Sequence, residues 1–281
     1  MTRSKRLTIP ELVAKKGKEK ITALTAYDVQ FARLLDETGI DLILVGDSAA
    51  MIMMGYEDTL PITMEEMLVF TKSVVKGTKR ALVVGDMPFL SYQVSDENAV
   101  FNAGRFLKEA GAQAVKIEGG QEMASRVRAV VKAGIPVLGH IGLTPQSANL
   151  LGGYKVQGKD VASARKLLAD AQALVEAGIF ALVLECVPQE LAALITQKIS
   201  VPTIGIGAGK HVDGQILVLH DLLGLFEGFR PKFVKAYADL ASVCRTALNT
   251  YIKEVKTGQF PGEEHSFKLS PEVWAELSKA E

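Results

Sequence analysis

The stretch Asp41-Leu42-Ile43-Leu44-Val45-Gly46-Asp47-Ser48 decides the fold. An unbroken apolar run ends abruptly in an acid. The same figure returns in Leu82-Val83-Val84-Gly85-Asp86, in Ala114-Val115-Lys116-Ile117-Glu118-Gly119 and in Ala181-Leu182-Val183-Leu184-Glu185. Each run is short and rich in Val, Ile and Leu. That marks a strand buried on both faces, as in a parallel sheet covered by helices. Each acid then stands at the carboxyl end of its strand. In a closed parallel barrel these ends share one rim, where ligand chemistry takes place. Four carboxyl groups are therefore expected at one site.

The rest of the chain fits that architecture. At 281 residues it can form one α/β barrel, an ordinary size being roughly 250 residues. We expect a single domain over 1–281, with the barrel at about 21–257. Formal net charge is zero, which argues against nucleic acid or an anionic membrane surface as partner. Cys186 and Cys244 lie far apart, as expected of a reduced cytoplasmic protein. No apolar run approaches the roughly 18 residues of a membrane span. The basic start Met1-Thr2-Arg3-Ser4-Lys5-Arg6 is not followed by an apolar segment, so no secretory signal is expected.

In chain order, Thr8-Ile9-Pro10-Glu11 has capping-box spacing and opens a short helix that ends in the Lys15–Lys20 charge run, read as a solvated face. The first strand covers Ile21 to Tyr27. The Met-rich segment Ala49 to Pro61 is read as an irregular loop; Met51, Met53 and Met54 either line the site or fill core. Further strands end at Asp86, Glu118, Gly142 and Glu185. A seventh leaves through Gly205-Ile206-Gly207-Ala208-Gly209, and an eighth is placed at Ile216 to Leu219. The gap between these two is too short for a crossover helix, so one helix is degenerate. A closed barrel is favoured over an open doubly wound sheet. Pro231 to Lys256 reads as one long helix, followed by a tail containing Trp274 that packs on the barrel or on a neighbouring subunit.

Serial helix-to-strand units leave a repeated mark. Glu37-Thr38-Gly39, Glu109-Ala110-Gly111, Lys132-Ala133-Gly134 and Glu176-Ala177-Gly178 each close a helical pattern just before an apolar run. Glycine after a helix takes positive φ at little cost, which lets the chain turn sharply into a strand.

The acids carry the chemistry. Hard carboxylate oxygens suit Mg²⁺, which shares its remaining coordination positions with water and substrate. Asp47 and Asp86 both follow glycine at a strand end; they are metal ligands or loop caps, and the repeated Gly-Asp context favours a shared metal. Glu118 is a third ligand candidate, direct or through water. Glu185, at an apolar mouth, suits a general base if burial raises its pKa; a structural salt bridge is the alternative. Lys116 lies two positions before Glu118 and points to the same side, either to bind an anion or to pair with an acid. His140 ends its strand as a structural residue or an additional site residue. The Gly205–Gly209 run fails the dinucleotide fingerprint, since its third glycine comes one residue early. Cys186 is read as facing away on the strand, not as a nucleophile.

At this point a resemblance becomes specific. Thr25-Ala26-Tyr27-Asp28, Val45-Gly46-Asp47-Ser48, Gly85-Asp86-Met87-Pro88-Phe89 and Val115-Lys116-Ile117-Glu118-Gly119 resemble the ketopantoate hydroxymethyltransferase family. So do Gly139-His140-Ile141-Gly142-Leu143-Thr144-Pro145-Gln146, Leu184-Glu185-Cys186-Val187-Pro188 and Ile204 to Gly209, extended by Asp213-Gly214-Gln215 and His220-Asp221. The resemblance spans nearly the whole chain in order. It implies a Mg²⁺-dependent (β/α)8 TIM barrel of the phosphoenolpyruvate/pyruvate type, with an N-terminal helix and a C-terminal helical tail. It implies transfer of a hydroxymethyl group from 5,10-methylenetetrahydrofolate to 3-methyl-2-oxobutanoate, giving 2-dehydropantoate on the way to pantothenate. By matching motif, Asp47, Asp86 and Glu118 form the metal site, Asp47, Ser48, Asp86 and Lys116 contact the oxo acid, and Glu185 accepts the proton. The family implies a homo-oligomer, a decamer built as a pentamer of dimers.

Two rivals remain at this level. One is a Mg²⁺-dependent carbon–carbon lyase of the same barrel group, acting on a 2-oxo acid. The other is a non-catalytic sugar- or amide-binding barrel, for which four rim acids and a lysine are poorly suited.

Overall fold

The computed structural model describes residues 6–226, 228 and 230–279; the basic start before Arg6 lies outside them. Eight strands close into a barrel in sequence order, every neighbouring pair parallel. They are β1 (Ile21–Thr25), β2 (Leu42–Val45), β3 (Leu82–Asp86), β4 (Ala114–Glu118), β5 (Val137–Gly142), β6 (Ala181–Glu185), β7 (Thr203–Ile206) and β8 (Gly214–Leu217). This is the expected (β/α)8 fold, and the closed strand order excludes the open sheet.

Side chains alternate in and out along each strand. Leu42, Leu44, Leu82, Val84, Ala114, Leu138, Ala181 and Val183 fill the barrel interior. Ile43, Val83, Ile117 and Leu182 face the helical layer. Continuing the inward alternation by one step brings Asp86, Lys116, His140 and Glu185 to the rim. Glu118 follows two residues after Lys116. The sequence period alone aims these polar groups at the same space.

Helix α1 (Ile9–Val13) begins with the expected Thr8–Glu11 capping box, and its buried Leu12 joins the barrel-interior cluster. Helices α2 (Val29–Thr38), α3 (Ala49–Met54), α4 (Met64–Gly77), α5 (Asp96–Lys108), α6 (Ala124–Lys132), α7 (Ala148–Leu151), α8 (Val161–Ala177) and α9 (Gln189–Lys198) follow the first six strands. Gly39, Gly111, Gly134 and Gly178 all have positive φ, 82°, 80°, 84° and 102°, at the joints foreseen for them. No helix joins β7 to β8 among the described residues. After β8 come α10 (Leu219–Leu222), α11 (Leu240–Thr257) and α12 (Pro271–Leu277).

Several expectations need correction. The Met-rich segment is not wholly irregular: Ala49–Met54 is helical, and Met53 and Met54 are exposed rather than in the core. The eighth strand begins at Gly214, and Leu219 already belongs to α10, its N–H donating to Thr25 Oγ1 at 3.1 Å. The long helix starts at Leu240, not Pro231. The segment before it is held to the preceding turn by Tyr237 N–H to the Leu222 carbonyl and Leu240 N–H to the Leu223 carbonyl. The lysine run is not simply solvated, because Lys15 pairs with Asp41 at 2.6 Å and Lys16 with Asp213 at 2.9 Å. Cys186 lies beyond β6 with φ 49°, and burial pushes its thiol up to about 12. That suits the reading that it is not a nucleophile.

The helical shell thins at one place. Strands β2, β3 and β4 are buried throughout, whereas the outward-facing Thr22 of β1 and Gln215 of β8 are exposed. No residue of α11 is buried, and Trp274 in α12 is exposed, so neither helix packs into the barrel.

Candidate metal and acid–base site

Strand register sets out the rim. Asp86 of β3 stands beside Lys116 of β4, Glu118 beside His140 of β5, and Gly142 beside Glu185 of β6. Asp47 follows the end of β2, and its backbone N–H donates to Asp86 Oδ2 at 3.0 Å. The glycine before Asp86 serves packing: a Cβ there would run into the ring of Phe106. The glycine before Asp47 leaves room for the Ser48 hydroxyl, which a Cβ would approach to 2.8 Å.

Asp47, Asp86 and Glu118 each offer one oxygen, and the three lie within 4.8 Å of one another. All three residues are buried. Lys116 Nζ lies among them, 2.7 and 2.8 Å from the two Asp86 oxygens and 2.9 Å from Glu118 Oε1. Of the two readings of Lys116, the structure shows the pairing with acids. His140 Nδ1 is 3.1 Å from Glu118 Oε1, and its Nε2 is 3.3 Å from Glu185 Oε2. Glu185 is thus one imidazole ring away from the acid group. Ser48 adjoins it through Asp47, with its Oγ 2.8 Å from the Tyr27 hydroxyl.

The electrostatics follow from burial and crowding. Burial, then the charges of Asp86 and Glu118, push the Asp47 carboxyl well above the usual range. Burial also raises Asp86, although Lys116 opposes it. Burial works against the Glu118 carboxylate too, but Lys116 and His140 outweigh it and bring the group down to about 2. Burial disfavours a charged Lys116, yet Asp86, Glu118 and Asp47 hold its ammonium well above its ordinary value. Burial likewise disfavours the His140 cation, and Glu118 overrides it, raising the ring to about 9. Without another cation, the crowded negative charge favours keeping a proton on Asp47 and on His140. The donor set fits a hard divalent ion: three carboxylate oxygens converge, and one ammonium leaves them in net negative surplus.

Every residue singled out from the sequence, Asp47, Ser48, Asp86, Lys116, Glu118, His140 and Glu185, lies in this one neighbourhood. Gln146 and Tyr92 were not singled out, and they belong to it. Gln146 Nε2 donates to Asp47 Oδ2 at 2.9 Å, and the Tyr92 hydroxyl meets Gln146 Oε1 at 2.7 Å. Gln146 closes the string Gly139 to Gln146, but no spacing rule distinguishes a loop glutamine that turns inward.

Solved structures share this architecture. Phosphonopyruvate hydrolase in complex with oxalate and Mg++ superposes with a TM-score of 0.61 at 13% identity, covering 97% of this chain and 96% of that one. A 2,3-dimethylmalate lyase of the PEP mutase/isocitrate lyase superfamily gives 0.58 at 16% identity, covering 95% and 92%. Identities this low bear on the fold alone. Fold and site together define the class: a (β/α)8 barrel with a carboxylate-rich centre on its C-terminal rim. Sequence narrows it. The pattern described as ketopantoate hydroxymethyltransferase matches residues 6–263. A 3-methyl-2-oxobutanoate hydroxymethyltransferase from Carboxydothermus hydrogenoformans is 58% identical over 269 residues, 95% of this chain and 98% of the relative. Proteins of the same name from Moorella thermoacetica and Clostridium botulinum are each 59% identical, over 95% and 91% of this chain. The chain belongs to the ketopantoate hydroxymethyltransferase family and is a transferase.

Proposed function

We propose that this enzyme moves a hydroxymethyl group from 5,10-methylenetetrahydrofolate to 3-methyl-2-oxobutanoate and releases 2-dehydropantoate, the first step toward pantothenate. Asp47, Asp86 and Glu118 are assigned to one Mg²⁺ ion. The observation that carries the reading is the rim itself. Three buried carboxylates converge beside a lysine, and a fourth, Glu185, stands one imidazole away, in a chain 58% identical to enzymes of that name.

The residues divide the work. A bound Mg²⁺ supplies Lewis acidity, drawing charge from the ketone oxygen of the oxo acid. Lys116 places a fixed positive charge where the substrate carboxylate is held. Ser48, positioned by Tyr27, offers a hydroxyl to the same substrate. Glu185 takes the proton from C3. The resulting carbanion equivalent forms a C–C bond to the one-carbon unit as that unit's two bonds to the folate nitrogens break; water supplies the hydroxyl oxygen, and tetrahydrofolate is released with the proton. His140 is hydrogen-bonded to Glu118 and sets its Nε2 3.3 Å from Glu185, so a charged ring there favours the ionised base.

We read residues 1–281 as one domain and the protein as a cytoplasmic homo-oligomer, a decamer. No helix among the described residues is long and apolar enough to cross a membrane. The oligomer reading is supported by α11, where Leu248, Tyr251, Ile252 and Val255 recur at helical spacing and are all exposed. A stripe of this kind on an unpacked helix calls for cover.

The test is a product assay on the purified protein with 3-methyl-2-oxobutanoate. Hydroxymethyl transfer should require methylenetetrahydrofolate, stop on metal chelation and return with Mg²⁺. Cleavage of a 2-oxo acid without folate would instead favour the lyase.

A further inference from the structure

Gln146 sits where the loop after β5 meets the acids, and both ends of its amide are engaged. Nε2 donates to Asp47 Oδ2 at 2.9 Å and to the Met87 carbonyl at 2.9 Å. Oε1 accepts from the Tyr92 hydroxyl at 2.7 Å and from Gln93 Nε2 at 3.4 Å. The backbone N–H of Gln146 donates to Glu118 Oε2 at 3.2 Å. Since a carbonyl only accepts, the Met87 contact fixes which end of the amide is nitrogen. Tyr92 has one proton to give and gives it to Gln146, so at 3.3 Å its oxygen accepts from Glu118 N–H. Both Gln146 and Tyr92 are buried.

We propose that Gln146, braced by Tyr92, is the positioning residue of the acid group. It sets the orientation of Asp47 through its side chain and of Glu118 through its backbone. The inference rests on reading those acids as ligands of a divalent ion. Three carboxylates this close repel one another. Lys116 hydrogen-bonds to Asp86 and Glu118. Asp47 is held instead by a neutral amide. That choice matters, because a second ammonium beside Asp47 would compete with an incoming cation, whereas an amide donor orients the carboxylate and leaves its charge intact. The bond to Oδ2 fixes the orientation in which the Asp47 carboxylate faces the other acids. Residues that orient ligands from behind in this way typically govern metal affinity by about 10–100-fold.

The experiment uses the full chain, stripped of metal and titrated with Mn²⁺, read by calorimetry and by electron paramagnetic resonance of the bound ion. Two variants are compared with the parent. Gln146→Met keeps bulk and removes the amide; Tyr92→Phe keeps the ring and removes the hydroxyl that holds Oε1. We expect Gln146→Met to weaken Mn²⁺ binding by about 10–100-fold and to alter the resonance of the bound ion. Tyr92→Phe should shift both readouts in the same direction by a smaller factor, and it carries the test if Gln146→Met does not fold. A folded Gln146→Met, or in its absence Tyr92→Phe, with the parent's affinity and spectrum overturns the positioning role alone. A parent protein that takes up no Mn²⁺ overturns the reading of the acids as ligands, and the positioning role with it.

Discussion

Lys116 straddles Asp86, its Nζ 2.7 Å from one carboxylate oxygen and 2.8 Å from the other, with both side chains buried. The same ammonium reaches Glu118 at 2.9 Å. It is the counter-charge that allows three carboxylates to share a buried space. Removing one partner of a buried pair costs about 3–5 kcal/mol, because the charge left behind has nothing to offset it. Lys116→Met should therefore lower the melting temperature of the metal-free protein sharply. Added Mn²⁺ should recover part of that loss, more than it gains for the parent. Melting curves with and without Mn²⁺ decide it; equal metal-free melts for parent and variant would count against the counter-charge role.

Metal uptake should depend on pH with a definite sign. In the metal-free protein, Asp47 is raised well above its usual range, chiefly by burial, and His140 to about 9, chiefly by Glu118 against the opposing effect of burial. Both groups favour holding protons when no ion is present. A divalent ion must displace the proton held by Asp47 and disfavours the one on His140, so affinity should rise with pH across the range in which these groups lose them. Each displaced proton contributes up to about tenfold per pH unit, since ligands bind in their deprotonated form. Calorimetry in buffers of different ionisation enthalpy measures the proton release directly. A flat affinity between pH 6 and pH 9 would contradict it.

Far from the rim, Asp213 ties the bottom of the barrel together. It accepts from Lys16 Nζ and from the backbone N–H of Thr203, both at 2.9 Å, and from Gly17 N–H at 3.3 Å. Burial opposes its charge, but these donors hold its pKa below the ordinary value of 3.8. A depressed carboxylate stabilises the fold above its unfolded pKa, and that contribution disappears as pH falls through the folded one. Asp213→Asn should cost about 1.5–3 kcal/mol at neutral pH, the range for hydrogen bonds to a charged group. The cost should shrink below pH 4. Chemical denaturation at pH 7 and at pH 3 separates the two cases, and an equal difference at both would rule the linkage out.

The sequence made some of this legible and concealed the rest, for physical reasons. Buried strands and inward-pointing acids follow from period-2 alternation, which places Asp86, Lys116 and Glu118 on one rim from the sequence alone. Glycine joints such as Gly39 and Gly178 were equally readable, because positive φ leaves a compositional mark. Gln146 was not, since its orientation depends on Asp47, Met87 and Tyr92, which lie far from it in the chain. The start of α11 was misread at Pro231 because apolar spacing continues through a segment whose backbone bonds to α10 instead. The packing role of Gly85 was hidden for the same reason as that of Gln146: it makes room for Phe106 on α5, twenty-one residues further along the chain.

The exposed stripe on α11 yields a prediction about assembly. A substitution on an exposed helix face ordinarily changes stability by less than about 0.5 kcal/mol. Leu248→Glu with Ile252→Glu should leave the secondary structure of the chain intact. If the stripe is covered by another copy, the pair should nevertheless lower the particle mass. Sedimentation or light scattering checks it, and an unchanged mass would mean that the assembly is built on another surface.

The sharpest test of the chemistry falls on Glu185. Its Oε2 lies 3.3 Å from His140 Nε2, and it sits at the end of β6 with the inward alternation of that strand. An amide has nearly the same shape and can still lie against the imidazole, so Glu185→Gln should leave binding of 3-methyl-2-oxobutanoate close to that of the parent. The amide cannot accept a proton from carbon. General-base assistance is typically worth about 10² to 10⁴ in rate, and exchange of the C3 proton for deuterium should slow by that factor even when folate is absent. Because this measurement is made without folate, it isolates Glu185 from any defect in folate binding. Exchange at the parental rate in a variant that still binds the oxo acid would move the base to another residue.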